Sequence, residues 1–171
     1  MSHESRLTIE LRALLHSQRV AALGTINDDG TPSVSMVPFA VDPGDGLLVI
    51  HVSSLAAHTG NLKARPNVSL LVTQSEVKGE PVHALPRVTL DGTAMELEPN
   101  SQAWVTCRSV YLERFSEAEY MTTLGDFTFI AIAIFGARHV AGFGAARSVD
   151  AEGFLLVLKP FDDNPADGNV E

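Results

Sequence analysis

Two runs decide the fold class: Val20-Ala21-Ala22-Leu23-Gly24-Thr25-Ile26 and Pro32-Ser33-Val34-Ser35-Met36-Val37-Pro38-Phe39. Between them lies Asn27-Asp28-Asp29-Gly30, whose residues tolerate the positive φ that a hairpin turn needs. The second run alternates Val34, Met36 and Pro38 with Ser33, Ser35 and Val37, the period of a strand. Pro38 has no amide to donate, which places a sheet edge or an irregularity there.

The same signals recur outward from this hairpin. Asp42-Pro43-Gly44-Asp45-Gly46 is a turn cluster, and Leu47–Val52 is a compact aliphatic strand, so three strands joined by short turns read as a meander. Val68–Thr73 and Arg87–Met95 add a fourth and fifth long strand, the latter with a bulge at Gly92. From Phe127 to Ile134 both alternating sets are apolar, which predicts a strand buried on both faces. Phe154–Leu158 reads as a last short strand. Helices are expected over Ser5–Gln18, from the spacing of Leu7, Leu11, Leu14 and Leu15, and over Leu55–Ala64, with Ser53 or Ser54 as N-cap and Pro66 as the stop. A further helix carries Trp104, Cys107, Tyr111 and Phe115, followed by a short one near Glu117–Thr123. Six or seven short strands in hairpin order, with helices inserted rather than alternating, predict a mainly β (α+β) fold, an antiparallel barrel with peripheral helices.

Length and composition narrow the function. The 171 residues suit one domain, here residues 1–160, followed by a flexible acidic tail over 161–171. Twelve Lys plus Arg face 21 Asp plus Glu, a net charge of −9, so nucleic acid is not an expected partner and any anionic ligand needs a local cluster of donors. No apolar run approaches the roughly 20 residues of a membrane span, and no secretory signal is evident, so a cytoplasmic, non-membrane protein is expected. A single cysteine, Cys107, allows no internal disulfide, and its place on an amphipathic helix makes it a small buried hydrophobe. His16 and His139 lack a second histidine at ligand spacing, His83 sits in a polar connection, and no metal site is expected.

The chemistry is densest in His51-Val52-Ser53-Ser54-Leu55-Ala56-Ala57-His58-Thr59-Gly60-Asn61-Leu62-Lys63. A strand ending in two serines and leading into a helix offers unpaired amides, a positive dipole end and hydroxyl donors, a pattern that suits a phosphate. A plain serine N-cap beside a surface histidine gives the same spacing, so motif physics alone leaves the ligand open.

Gly30-Thr31-Pro32 with Ser35-Met36-Val37-Pro38, the Ser53–Leu62 stretch, Pro66-Asn67-Val68-Ser69-Leu70-Leu71, and Pro86-Arg87-Val88-Thr89-Leu90 with Gly92 occur in that order. Together they resemble the FMN-binding split barrels related to pyridoxamine 5′-phosphate oxidase, nearest the haem-utilisation branch. The resemblance implies a split-barrel homodimer with FMN at the subunit interface. Ser35, Met36, Val37 and Pro38 would lie along the flavin ring and ribityl chain, and His51, Val52, Ser53 and Ser54 would run from the ring to the phosphate. His58 and Lys63 would stand at the anionic end, while Arg87 would reach the flavin of the partner. No side chain is assigned a catalytic role.

The implied activity is a flavin-dependent oxidoreductase acting on a small-molecule substrate or electron donor; the alternative is a non-catalytic haem- or flavin-binding protein. Two departures from the branch stand out. Its Gly-Phe-Gly-Arg-Ala strand is here Gly142-Phe143-Gly144-Ala145-Ala146, with Arg147 displaced by two, and the chain ends in the acidic Asp162–Glu171. From that ending, neither haem degradation nor vitamin B6 oxidation is expected.

Overall fold

The hairpin read from the sequence forms as expected. In the computed structural model, which describes residues 4–159, β1 (Val20–Ile26) pairs antiparallel with β2 (Pro32–Pro38). Gly30 takes φ +85°, and Asp29 Oδ1 accepts from Thr31 N at 2.9 Å, locking the turn. The chain continues through β3 (Ala40–Asp42), β4 (Leu47–Ser53), β5 (Asn67–Thr73), β6 (Arg87–Glu96), β7 (Phe127–Val140) and β8 (Ala146–Asp150). The helices are α1 (Arg6–Ser17), α2 (Ala57–Ala64), α3 (Gln102–Arg114) and α4 (Ala151–Leu158).

The strands run in the order β2-β1-β5-β6-β7-β4-β3, with β8 also paired to β7, and all pairs are antiparallel. The expected meander is therefore corrected: β4 does not pair with β2 but stands near the other end of the order, beside β7. β2 and β3 are separated in sequence by Phe39 alone, yet they occupy opposite ends of that order. One residue thus joins the two ends of the curled sheet, which is the closure of the barrel. Pro38 precedes this crossing on an edge strand, where a missing amide costs no ladder bond.

Eight strands form where six or seven are read from the pattern, because β3 and β8 are too short to show a period. Phe154–Leu158 is helical rather than a strand. Asp150 caps α4 by accepting from Gly153 N at 2.8 Å, and Phe154, Val157 and Leu158 bury at helical spacing. The Glu117–Thr123 helix resolves into two 3₁₀ turns, Ser116–Ala118 and Tyr120–Thr123. The bulge falls as expected, with a shift of pairing between Asp91 and Gly92. A Cβ on Gly92 would lie 2.7 Å from Ile132 Cγ2 and 2.9 Å from the Ala133 carbonyl, so only glycine fits. The acidic tail read over 161–171 lies outside the described residues.

The sheet separates two cores. Inward residues such as Leu23, Ile50, Leu70, Leu90 and Ile132 fill the barrel, joined by Leu11 and Leu15 of α1, Leu62 of α2, and Phe154 of α4. Outside, α3 lays Cys107 and Tyr111 with Phe115 over Ala40, Val49, Phe129 and Ala131. The remaining outer surface, over β2, β1, β5, β6, the second half of β7 and β8, carries no helix. Arg114 of α3 ties the layers together: its guanidinium lies 5.0 Å over the Phe39 ring and donates to the carbonyls of Leu15 and His16 at 3.1 and 3.0 Å.

Phe39 is fully buried at the crossing. Phe39→Ala is expected to cost about 3–5 kcal/mol in denaturant unfolding, and Phe143→Ala, at an exposed phenylalanine, less than about 0.5 kcal/mol.

Candidate functional site

The Ser53–Lys63 stretch forms one corner of the fold. β4 delivers Ser53 to a turn that leads into α2, and α2 lies against the β1–β2 hairpin and the end of β6. Asn61 fixes this docking by donating to Thr25 Oγ1 at 3.1 Å and Asn27 Oδ1 at 2.8 Å. The N-cap is Ala56 rather than either serine, and it makes no side-chain capping bond. Ser53 Oγ instead accepts from Leu55 N at 3.2 Å within the turn and faces Asp126 Oδ2 at 3.4 Å. Lys63 forms an exposed ion pair with Glu96 at 2.8 Å. The corner retains the exposed Ser54, the half-buried His58 and the opening amides of α2 as donors. Burial holds the His58 imidazole below its ordinary pKa, so it is a neutral donor or acceptor there.

The other expected residues separate by face. Met36 projects outward from β2, whereas Val37 points into the barrel core and Ser35 and Pro38 are half-buried. Val52 likewise faces the barrel core. His51 faces the opposite way, into the core under α3, with ring centroids 4.4 Å from Phe129, 5.1 Å from Phe127 and 5.8 Å from Tyr111. Its Nδ1 is buried without a hydrogen-bond partner, and burial lowers its pKa from 6.5 to about 4. Arg87 begins β6, and Lys63 is paired to Glu96 at the other end of that strand, roughly 30 Å away at about 3.3 Å per residue. One chain therefore does not bring Arg87 to the α2 corner.

The helix-free outer face has two halves. One holds most of the exposed apolar side chains: Val34 and Met36 are 72% and 67% exposed, with Leu71 on β5 and Phe135 on β7, around the polar pair Ser69 and Asp91. The other is an open cleft of about 530 Å³ bounded by His83, Arg87, Thr89, Arg138, Phe143 and Ala146. Arg87 pairs with Val140, and Thr89 with Arg138, so the two arginines are diagonal neighbours on one face. Arg87 donates to the Leu85 carbonyl at 3.0 Å and Arg138 to Ser148 Oγ at 3.4 Å. Among the described residues no carboxylate pairs with either arginine, whereas Arg6, Arg12, Arg19, Lys63, Arg65 and Arg108 all have acidic partners. Phe143, on the loop between β7 and β8, is 90% exposed.

Sequence reasoning missed Arg138 and Phe143 and left His83 in a connection. The outward phase of β7 opposite Thr89 is the signal that finds Arg138. Arg147 does not stand in for the arginine absent at Ala145: it turns under α1, with Nη2 3.4 Å from Thr8 Oγ1 and Nε buried without a partner. Cys107 is buried and its thiol is pushed up to about 11 by burial and by Asp42 and Asp45, an inert position. No group of three or more His, Cys, Asp or Glu among the described residues could hold a metal ion, and no described helix is long and apolar enough to cross a membrane.

A curled antiparallel barrel with one helix outside and a bare ligand-sized face defines a split-barrel protein. Residues 7–141 match the pyridoxamine 5′-phosphate oxidase family, and the chain belongs to it. It is similar to the haem oxygenase HutZ of Vibrio cholerae, 29% identical over 150 residues that make up 87% of this chain and 84% of the relative. It is also similar to the chloroplast haem oxygenase HOZ of Arabidopsis thaliana, 37% identical over 80% of this chain but only 41% of that protein. Among solved structures, a haem-binding protein from Mycobacterium smegmatis superposes with a TM-score of 0.80 at 27% identity, covering 90% of this chain and 61% of that one. The haem-utilisation side of the family is thus where the likeness falls.

The depressed pKa of His51 has a pH signature. Between 6.5 and about 4 the unfolded chain binds a proton that folded His51 refuses, so stability is full above 6.5 and declines as pH falls toward 4. His51→Phe is expected to flatten that decline, measured by denaturant midpoints above and inside this window.

Proposed function

We propose that this protein is a haem-handling member of its family that works as a homodimer through the bare outer face of its sheet. The observation that carries this is the cleft at one end of that face: two arginines without acidic partners beside an exposed phenylalanine and an exposed histidine. That donor set fits haem, whose flat apolar ring suits an aromatic shelf and whose two carboxylates suit guanidinium groups. In an acidic chain such a local cluster is what an anionic ligand requires. The names of HutZ, HOZ and the M. smegmatis protein agree with this ligand. Bound haem supplies the redox-active iron; Arg87, Arg138 and Phe143 bind and orient it, and a second chain excludes water from it.

Dimerisation is supported by the apolar half of the same face, since exposed side chains on several adjacent strands form a patch of the kind that marks an interface.

FMN is the second ligand, bound with its phosphate at the α2 corner, in a flavin-dependent oxidoreductase acting on a small molecule. The opening amides of α2, which no side chain caps, favour it. The carboxylate of Asp126 beside Ser53 and the engagement of Lys63 by Glu96 weigh against it.

Parallel titrations with haemin and with FMN separate the two ligands. The expected result is saturable haemin binding near one per chain with a shifted Soret band, and weaker or no FMN binding; tight FMN binding with no haemin binding would reverse the assignment. Met36→Asp is expected to shift the protein from dimer to monomer in sedimentation, by forcing a charge into the apolar half of the interface.

A further inference from the structure

We infer that His83 is the side chain that would ligate the haem iron, with Arg87 and Arg138 of the same cleft taking its two propionates. This rests on haem being the ligand and adds which residue meets the metal.

Elimination among the described histidines points to His83. His51 and His139 are buried, and His51 is enclosed by three aromatic rings on the side of the sheet away from the cleft. His58 belongs to α2, near the opposite end of β6. His16 ends α1, where Arg114 and Arg12 bear on it. His83 alone lines the cleft with the two arginines. It is exposed and makes no hydrogen bond or ion pair among the described residues, so its imidazole is available to a metal. The other soft donors are misplaced: Cys107 is buried under α3, and Met36 and Met95 do not line the cleft.

Local structure holds His83 in place. It sits in the 3₁₀ turn Val82–Ala84, four residues before Arg87, and that turn is held by the Ala84 and Leu85 amides donating to Pro81 and Val82. The glycine loop beyond β7 closes against it, since a Cβ on Gly142 would lie 3.9 Å from the Ala84 carbonyl. The turn forms one wall of the cleft, the loop with Phe143 another, and the β6–β7 surface with both arginines the floor. A volume of about 530 Å³ is within the range of cofactor pockets. Arg87 and Arg138 are diagonal neighbours with no ion pair of their own, Asp91 lies diagonally on the far side of Arg138, and a ligand with two carboxylates would meet both guanidiniums.

The test is haemin titration of the full chain and its variants, read by the Soret position, the spin state in electron paramagnetic resonance, and affinity. His83→Ala is expected to lose the histidine-ligated signature and to bind about tenfold or more weakly, with added imidazole restoring the signature. Arg87→Gln with Arg138→Gln is expected to weaken binding about tenfold while leaving the iron spectrum unchanged. His16→Ala should match the unmodified protein. Haemin binding by the unmodified protein with no spectral change in His83→Ala, or a loss that imidazole does not restore, overturns the assignment of His83 and leaves the haem function standing. No haemin binding by the unmodified protein overturns both.

Discussion

Phe39 has to be the whole connection between two ends of a sheet, and the rest of the molecule follows from that constraint. A strand of seven residues and one of three can flank a single residue yet lie at opposite ends of the strand order only if the sheet is curled until those ends meet. The curl gives the sheet an inside, which β-branched and aliphatic side chains fill, and an outside that one helix cannot cover. Arg114, stacked on the Phe39 ring, carries the constraint outward by gathering the last carbonyls of α1. The half of the outer surface left bare is then a product of closure.

Charge placement on that bare surface runs against the average of the chain. The chain has nine more acidic than basic side chains, and six of its twelve cations form ion pairs among the described residues. Arg87 and Arg138 form none, and they are diagonal neighbours, with Asp91 diagonal to Arg138 on its other side. The glycine loop after β7 carries Ala145 rather than an arginine, and Arg147 is engaged under α1. Arg138, reaching the cleft from β7, provides a second guanidinium from a different position in the chain.

Local features were legible in the sequence and long-range ones were not. The Asn27–Gly30 turn, the bulge at Gly92 and the leucine stripe of α1 each depend on a few consecutive residues, and each was found. β3 was missed because three residues carry no period, and α4 was misread because a continuous apolar run looks alike as helix or strand until its cap is recognised. The meander failed because strand pairing is decided by closure across the whole chain. For the site, the Ser53–Lys63 corner stood out because its residues are contiguous. The His83, Arg87, Arg138 and Phe143 cleft spans sixty residues of sequence and exists only once β6 and β7 are paired. The direction in which His51 points was likewise invisible, since β4 is apolar on both faces.

That last property has a consequence for alignment during folding. β4 and the first half of β7 present hydrocarbon on both sides, so oiliness alone gives them no reason to prefer one offset over its neighbour. His51 breaks the tie. Its imidazole is accepted among the rings of Phe127, Phe129 and Tyr111, whereas a slip of one position would drive it into the aliphatic interior that Ile50 and Val52 fill in the native register. A poorly satisfied polar ring in a greasy strand thereby acts as a peg, penalising each misalignment that turns it to the other face.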